Sequence, residues 1–318
     1  MTNFQQTLST ITDYIKADIF PGASLALYDG QDWQEHYLGT QDGNHPVVPG
    51  LTYDLASVSK VVGVGTLCLF YLQAGKLDLD EKLSTYYPEV VDKTLTLRQL
   101  LSHSSGIDPF IPNRDDLDQE GLIAAINAIK VKTDKPFLYT DINFILLGLM
   151  LEKLSGQTLD KLFDSEIFQP FGMSETRFGP VEVAVPTVEG VPGGTVHDPK
   201  ARVLKEHTGS AGLFSTLKDL EIFVNHYLTD DFAKNMTQNI SQSNKERSVA
   251  WDLQGEWILH TGYTGTFVLI NIPAQRAKQE AAIFLSNRTY EKDERAQWIK
   301  DRDVLIEIMK KELVHSDK

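Results

Sequence analysis

Cysteine is nearly absent from this chain. Cys68 is the only one in 318 residues, so no internal disulfide and no thiolate metal cluster can form. Basic side chains are in deficit, 30 Lys and Arg against 44 Asp and Glu, and the net charge of −14 repels phosphate backbones and anionic lipid over most of a surface. Nucleic acid and membrane are therefore not expected as partners. No run reaches the roughly 18 apolar residues that a spanning helix needs, and the start, MTNFQQTLSTITDYIKADIF, has no basic stretch leading into an apolar one. The expectation is a soluble, cytoplasmic protein. Also missing are an H-E-x-x-H pair, a P-loop, a dinucleotide fingerprint and a G-x-S-x-G elbow. Neither metal nor organic cofactor is expected, and the missing elbow argues against an α/β-hydrolase.

What is present suffices for a full core, since 42% of the residues are hydrophobic. Phe4, Leu8, Ile11 and Ile15 recur at helical spacing until Pro21 and Gly22 stop the pattern. ASLALYDGQDWQEHYLG then alternates around Asp29 and Gly30, which suit a tight hairpin. From Ser57 to about Asn225 most periodic segments are helical, and Gly75 and Gly156 stand where helices should end. EWILHTGYTGTFVLINI and EAAIFLSNR restore strand patterns, before ERAQWIKDRDVLIEIMKKEL closes the chain as a helix. The expected fold is α+β, an antiparallel sheet flanked by terminal helices, built from residues 1–56 and 245–318. A mostly helical region, residues 57–244, is expected as an insertion, with the active site in the cleft between the two. Residues 179–210 form the longest stretch without a period and are read as a functional or mobile loop.

The apolar run DLASVSKVVGVGTLCLFYL opens with Ser57 and Lys60, three apart and so on one helix face. A serine alone is a weak nucleophile. A neighbouring amine takes its proton if burial lowers the lysine pKa, and free backbone N–H groups in a first turn can hold an oxyanion. The same spacing recurs at Ser215 and Lys218 in LFSTLKDLEIF, where Thr216 and Asp219 read instead as a capping pair opening a surface helix. Two further stretches accompany the first tetrad: FLYTDINFILL, with Tyr139, Thr140 and Asp141 at the mouth of an apolar helix, and HTGYTGT, with His260 between strand-like segments. A second HTG, at His207, falls in the irregular stretch and is read as lining or leading to the cleft. LSHSSGI, around His103, is read as a turn after a helix.

Together SVSK, YTD and HTG resemble the three motifs of the penicillin-recognising serine hydrolases: serine-x-x-lysine, tyrosine-x-asparagine and lysine-threonine-glycine. The resemblance is closest to the branch of class C β-lactamases, D-alanyl-D-alanine carboxypeptidases and related esterases. LTLRQLLSHSSGI, IFQPFGMSETRF, AGLFSTLKDL and FLSNR follow the same order. It implies a β-lactamase/transpeptidase-like fold, with Ser57 acylated, Lys60 its proton acceptor or relay, and Tyr139 shuttling a proton to the leaving group. It further implies that His260, Thr261 and Gly262 wall the site, and that the N–H groups of Ser57 and Tyr263 form the oxyanion hole.

Two positions depart from that pattern. Asp141 stands where many relatives carry asparagine, and a carboxylate about 4 Å from Lys60 favours its charged form by about 4 kcal/mol at an effective dielectric near 20. His260 replaces a permanent cation, so preference is expected to drift towards neutral esters or amides, or to follow pH as the imidazole protonates. The leading expectation is a serine hydrolase cleaving a small-molecule or peptide-like ester or amide. A D-alanyl-D-alanine carboxypeptidase or weak β-lactamase is the alternative, and a non-catalytic penicillin-binding or sensor protein the third.

Overall fold

The computed structural model describes residues 4–273 and 278–315. Its strands are β1 (Gly22–Tyr28), β2 (Trp33–Gly39), β3 (Thr52–Asp54), β4 (Arg177–Phe178), β5 (Leu213–Thr216), β6 (Asp252–Gln254), β7 (Trp257–Thr261), β8 (Phe267–Asn271) and β9 (Ala281–Ser286). Six of them make an antiparallel sheet in the order β2-β1-β9-β8-β7-β6, and the short β3, β5 and β4 make a second. In β9 the side-chain period of two sends Ala282 and Phe284 to one face and Ala281, Ile283 and Leu285 to the other. The first face packs on helices α1 (Gln5–Lys16) and, near the C-terminus, Arg295–Val314. Phe20 fixes that layer, meeting Phe284 and Trp298 edge-on at 5.5 and 5.8 Å between ring centres.

The opposite face carries the larger core. There the run expected as one buried helix is a composite: a 3₁₀ turn, Ala56–Val58, a π turn, Val61–Gly65, and then α2 (Thr66–Gln73). Ala56–Gln73 is the one helical stretch among the described residues long and apolar enough to cross a membrane by length and composition, contrary to the expectation that none would be. Most of it is buried in this core, which accounts for its apolarity. Beside it runs α3 (Asp141–Ser155), buried continuously from Ile142 to Leu151 and capped by Thr140, whose Oγ1 accepts the Ile142 N–H at 3.3 Å. Next comes α4 (Leu217–Thr229), and Arg295–Val314 is accordingly α5.

The β1–β2 hairpin forms as expected, with a connection of four residues rather than two. Tyr28 pairs with Trp33, Asp29 Oδ1 accepts the N–H groups of Gln31 and Asp32 at 3.0 Å, and Gly30 supplies the left-handed φ of 91°. The aperiodic stretch 179–210 is largely irregular, with a short helix at Pro199–Leu204.

Candidate active site

The serine turn begins at Asp54, the last residue of β3. Its buried carboxylate accepts the N–H groups of Ala56 at 2.8 Å and His197 at 2.7 Å, and burial pushes its pKa up to about 6. Ala56 takes a left-handed φ of 46°, which strains a residue with a Cβ by about 1 to 3 kcal/mol. Threonines from the loop after β7 hold that turn: Thr264 Oγ1 donates to the Asp54 carbonyl at 3.0 Å and Thr266 Oγ1 to the Leu55 carbonyl at 2.9 Å. Gly262 permits this approach, since a Cβ there would meet Thr266 Oγ1 at 2.1 Å and the Leu55 carbonyl at 2.6 Å. Thus the third motif lies directly against the first.

Lys60 is fully buried, and each of its three donors has an acceptor: Ser57 Oγ at 3.0 Å, Asp141 Oδ1 at 2.7 Å and the Ser210 carbonyl at 2.8 Å. Burial alone would lower its proton affinity. The Asp141 carboxylate overrides that and holds the ammonium well above the ordinary lysine range. Asp141 itself opens α3, where a helix N-terminus favours negative charge. Burial opposes its ionisation, yet Lys60 and Lys200 together hold it far below the usual carboxylate range. Lys200 Nζ lies 3.0 Å from Asp141 Oδ2 and 3.2 Å from Asp198 Oδ2.

Tyr139 is 39% exposed, with its ring centre 5.1 Å from Lys60 Nζ. Its other neighbour is His103, stacked at 4.3 Å. Nδ1 of that buried histidine accepts the Thr140 N–H at 3.4 Å and faces the Asn143 amide nitrogen at 2.9 Å, so its proton sits on Nε2. Burial keeps the ring neutral, and the charges of Arg247 and Lys60 add to the effect.

His260 is buried in β7 with neither ring nitrogen paired. Its pKa falls well below the ordinary value, through burial first and then the charges of Lys60 and Arg247. That direction runs against the expectation that it protonates and carries pH dependence. Thr261 Oγ1 accepts from Arg302 at 3.3 Å, and the Tyr263 ring lies under the Arg288 guanidinium at 4.6 Å. Among the described residues no acceptor takes the N–H of Ser57 or of Tyr263.

Ser57, Tyr139, Asp141, Thr261, Gly262 and Tyr263 line one cleft of about 810 Å³. Lys60 lies behind Ser57, and His260 faces an adjoining cavity of about 350 Å³ that shares Tyr139 and Thr261 with the cleft. His207 does not reach the cleft; it pairs with Glu152 at 2.9 Å, while Ser210, three residues on, supplies the carbonyl to Lys60. Lys200, Ser210 and His103 escaped sequence reasoning. Only His103 had a local signal, its place in LSHSSGI.

Known proteins share this architecture. The family model described as Beta-lactamase matches residues 9–306. A relative in Escherichia coli K12, named "Putative D-alanyl-D-alanine carboxypeptidase", is 26% identical over 70% of this chain, which spans 66% of that protein. D-amino acid amidase from Ochrobactrum anthropi SV3, solved with L-phenylalanine, superposes with a TM-score of 0.77 at 20% identity over 100% of both chains. A class C β-lactamase from Rhodobacter sphaeroides gives 0.69 at 19% identity, over 94% of this chain and 99% of that one.

Proposed function

Because the chain belongs to the β-lactamase family of serine hydrolases, we propose that it cleaves a small ester or amide through an acyl-enzyme on Ser57. The observation that carries this reading is the Lys60 ammonium 3.0 Å from Ser57 Oγ, with Tyr139 beside it at the cleft wall. In the first half-reaction Ser57 Oγ bonds to the substrate carbonyl carbon. The developing oxyanion is taken by the N–H groups of Ser57 and Tyr263, each such donor being worth about 3 to 4 kcal/mol. The serine proton passes through the Lys60 and Tyr139 pair to the leaving nitrogen or oxygen, whose bond to the carbonyl carbon then breaks. Water repeats the sequence in reverse and frees Ser57. Asp141 keeps Lys60 charged, so the lysine acts as relay and electrostatic support, and the pair as a whole must give up one proton to become reactive.

A D-alanyl-D-alanine carboxypeptidase or weak β-lactamase activity is the second reading, supported by the name of the E. coli relative and by the Arg302 guanidinium set on Thr261 at the cleft. Wild type and Ser57→Ala, incubated with a fluorescent penicillin and a p-nitrophenyl ester series, distinguish the readings by adduct mass and product release. Ester turnover that disappears with Ser57 supports the proposal. Unchanged turnover in the alanine variant overturns it, and a lasting stoichiometric penicillin adduct without turnover would mark a non-catalytic binder.

A further inference from the structure

Behind the serine, four charged side chains of alternating sign pair in succession. Lys60 Nζ meets Asp141 Oδ1 at 2.7 Å, Asp141 Oδ2 meets Lys200 Nζ at 3.0 Å, and Lys200 meets Asp198 Oδ2 at 3.2 Å. Lys200 is largely buried, its side chain 14% exposed, although it comes from the irregular stretch. Asp198 fixes it from the same stretch, because its Oδ1 accepts the Ala201 N–H at 2.8 Å and only Oδ2 remains for the ammonium. Asp141 therefore has both oxygens engaged by lysines from separate segments. One neighbour is the buried relay and the other lines the cleft.

We infer that Lys200 is a positioning residue for the Ser57 reaction, offsetting the Asp141 carboxylate so that the Lys60 and Tyr139 pair can release its proton. The inference rests on the serine-hydrolase reading above. A lone carboxylate 2.7 Å from a buried ammonium would lock the proton on Lys60. A second ammonium on the same carboxylate divides that attraction and adds a like charge nearby. The remaining groups that interact with Lys60 are Tyr139 and the neutral His103 and His260, with the Arg247 guanidinium beyond them on Asp252; Asp198 is the counter-ion that keeps Lys200 in place.

The test measures p-nitrophenyl acetate hydrolysis, and labelling of Ser57 by a fluorophosphonate, against pH. Lys200→Met is expected to move the acidic limb of both profiles up by about one pH unit or more, while Lys200→Arg, which keeps the charge, leaves it in place. Asp141→Asn moves the limb down, and the Lys200→Met/Asp141→Asn pair, which removes one charge of each sign, returns it towards wild type. A uniform loss of rate at every pH in Lys200→Met, with no recovery in the double variant, would mean that Lys200 only holds the loop, and would overturn the inference. Loss of neither signal in Ser57→Ala instead overturns the reading beneath it. A thermal melt of each variant separates misfolding from both.

Discussion

Two serine-x-x-lysine tetrads occur in this chain with identical spacing and opposite fates. At Ser57 the lysine is fully buried and spends its donors on the serine, a carboxylate from α3 and a carbonyl from the irregular stretch. At Ser215 the serine is interior, bonded to Thr176 Oγ1 at 2.7 Å, and Lys218 is 70% exposed and reaches forward to Glu221 at 2.7 Å. Thr216 caps α4 there by accepting the Asp219 N–H at 3.2 Å, but Asp219 does not complete the expected capping pair: its buried carboxylate accepts instead from the Glu175 N–H at 2.8 Å and Thr176 Oγ1 at 2.7 Å. Spacing puts two side chains on one face only where both stand on one helical stretch; here Ser215 lies in β5 and Lys218 belongs to α4, so the second pair never meets. The 3₁₀ turn at Ala56–Val58 belongs only to the first copy.

Alanine at each serine gives the largest contrast. Ser57→Ala should lower ester turnover by about a thousandfold or more, whereas Ser215→Ala should leave turnover within about twofold and cost about 1 kcal/mol of stability, read by urea unfolding. The lysines come next. Lys60→Met removes the relay and leaves the Asp141 carboxylate, 24% exposed, with Lys200 as its remaining cation, an expected loss of about 1 to 3 kcal/mol in unfolding free energy together with activity. Lys218→Ala takes the ammonium from Glu221, whose side chain is 1% exposed, and is expected to cost about 1 to 3 kcal/mol with activity intact. Equal losses of activity at the two lysines would break the comparison.

The same pair sets a pH window. Lys60 is held above its unfolded value, so its contribution is complete below about pH 10 and lost as pH rises through the folded pKa. Asp141 is held below its unfolded value, so its contribution is complete above about pH 4 and lost on acidification. Between those limits neither Lys60 nor Asp141 contributes a slope to the stability gap between wild type and Lys60→Met; a slope there would come from His103 and His260, which the Lys60 charge helps hold neutral. Asp54 acts in the other direction. Its carboxyl holds a proton up to about pH 6 in the folded protein, whereas the unfolded chain releases one near pH 4, so stability falls as pH rises between them. Asp54→Asn should flatten that part of the Tm profile, and an unaltered slope would show that the carboxylate stays charged.

How much of this was legible follows from where each residue sits. Ser57, Tyr139 and Asp141 stand at the starts of apolar helices, in motifs a few residues long, and the strand alternation around His260 separated it from the copy at His207. That strands from the two ends of the chain share one antiparallel sheet was legible too, from the strand patterns on either side of the helical region; the count of six was not, since the inner strands are buried on both faces. Lys200, Ser210 and Asp54 were not. Each acts through a partner 59 to 150 positions away (Asp141, Lys60 and His197 respectively), and no local pattern announces such a meeting. The effect of Asp141 on Lys60 was readable from charge alone; its division between two lysines was not.

The smallest expected effect concerns the two histidines. His207 is partly exposed and bonded to Glu152 at the far end of α3, so His207→Gln should change turnover by less than about twofold. His260 lies beside Lys60 and Arg247 with both nitrogens unpaired, and a proton there would place a third cation in a buried cluster. The imidazole therefore stays neutral, and the rate profile between about pH 5.5 and 7.5 should carry no inflection that His260→Gln abolishes. Such an inflection, present in wild type and missing in the variant, would mean that the ring charges during turnover and takes over the cationic role of the lysine it replaces.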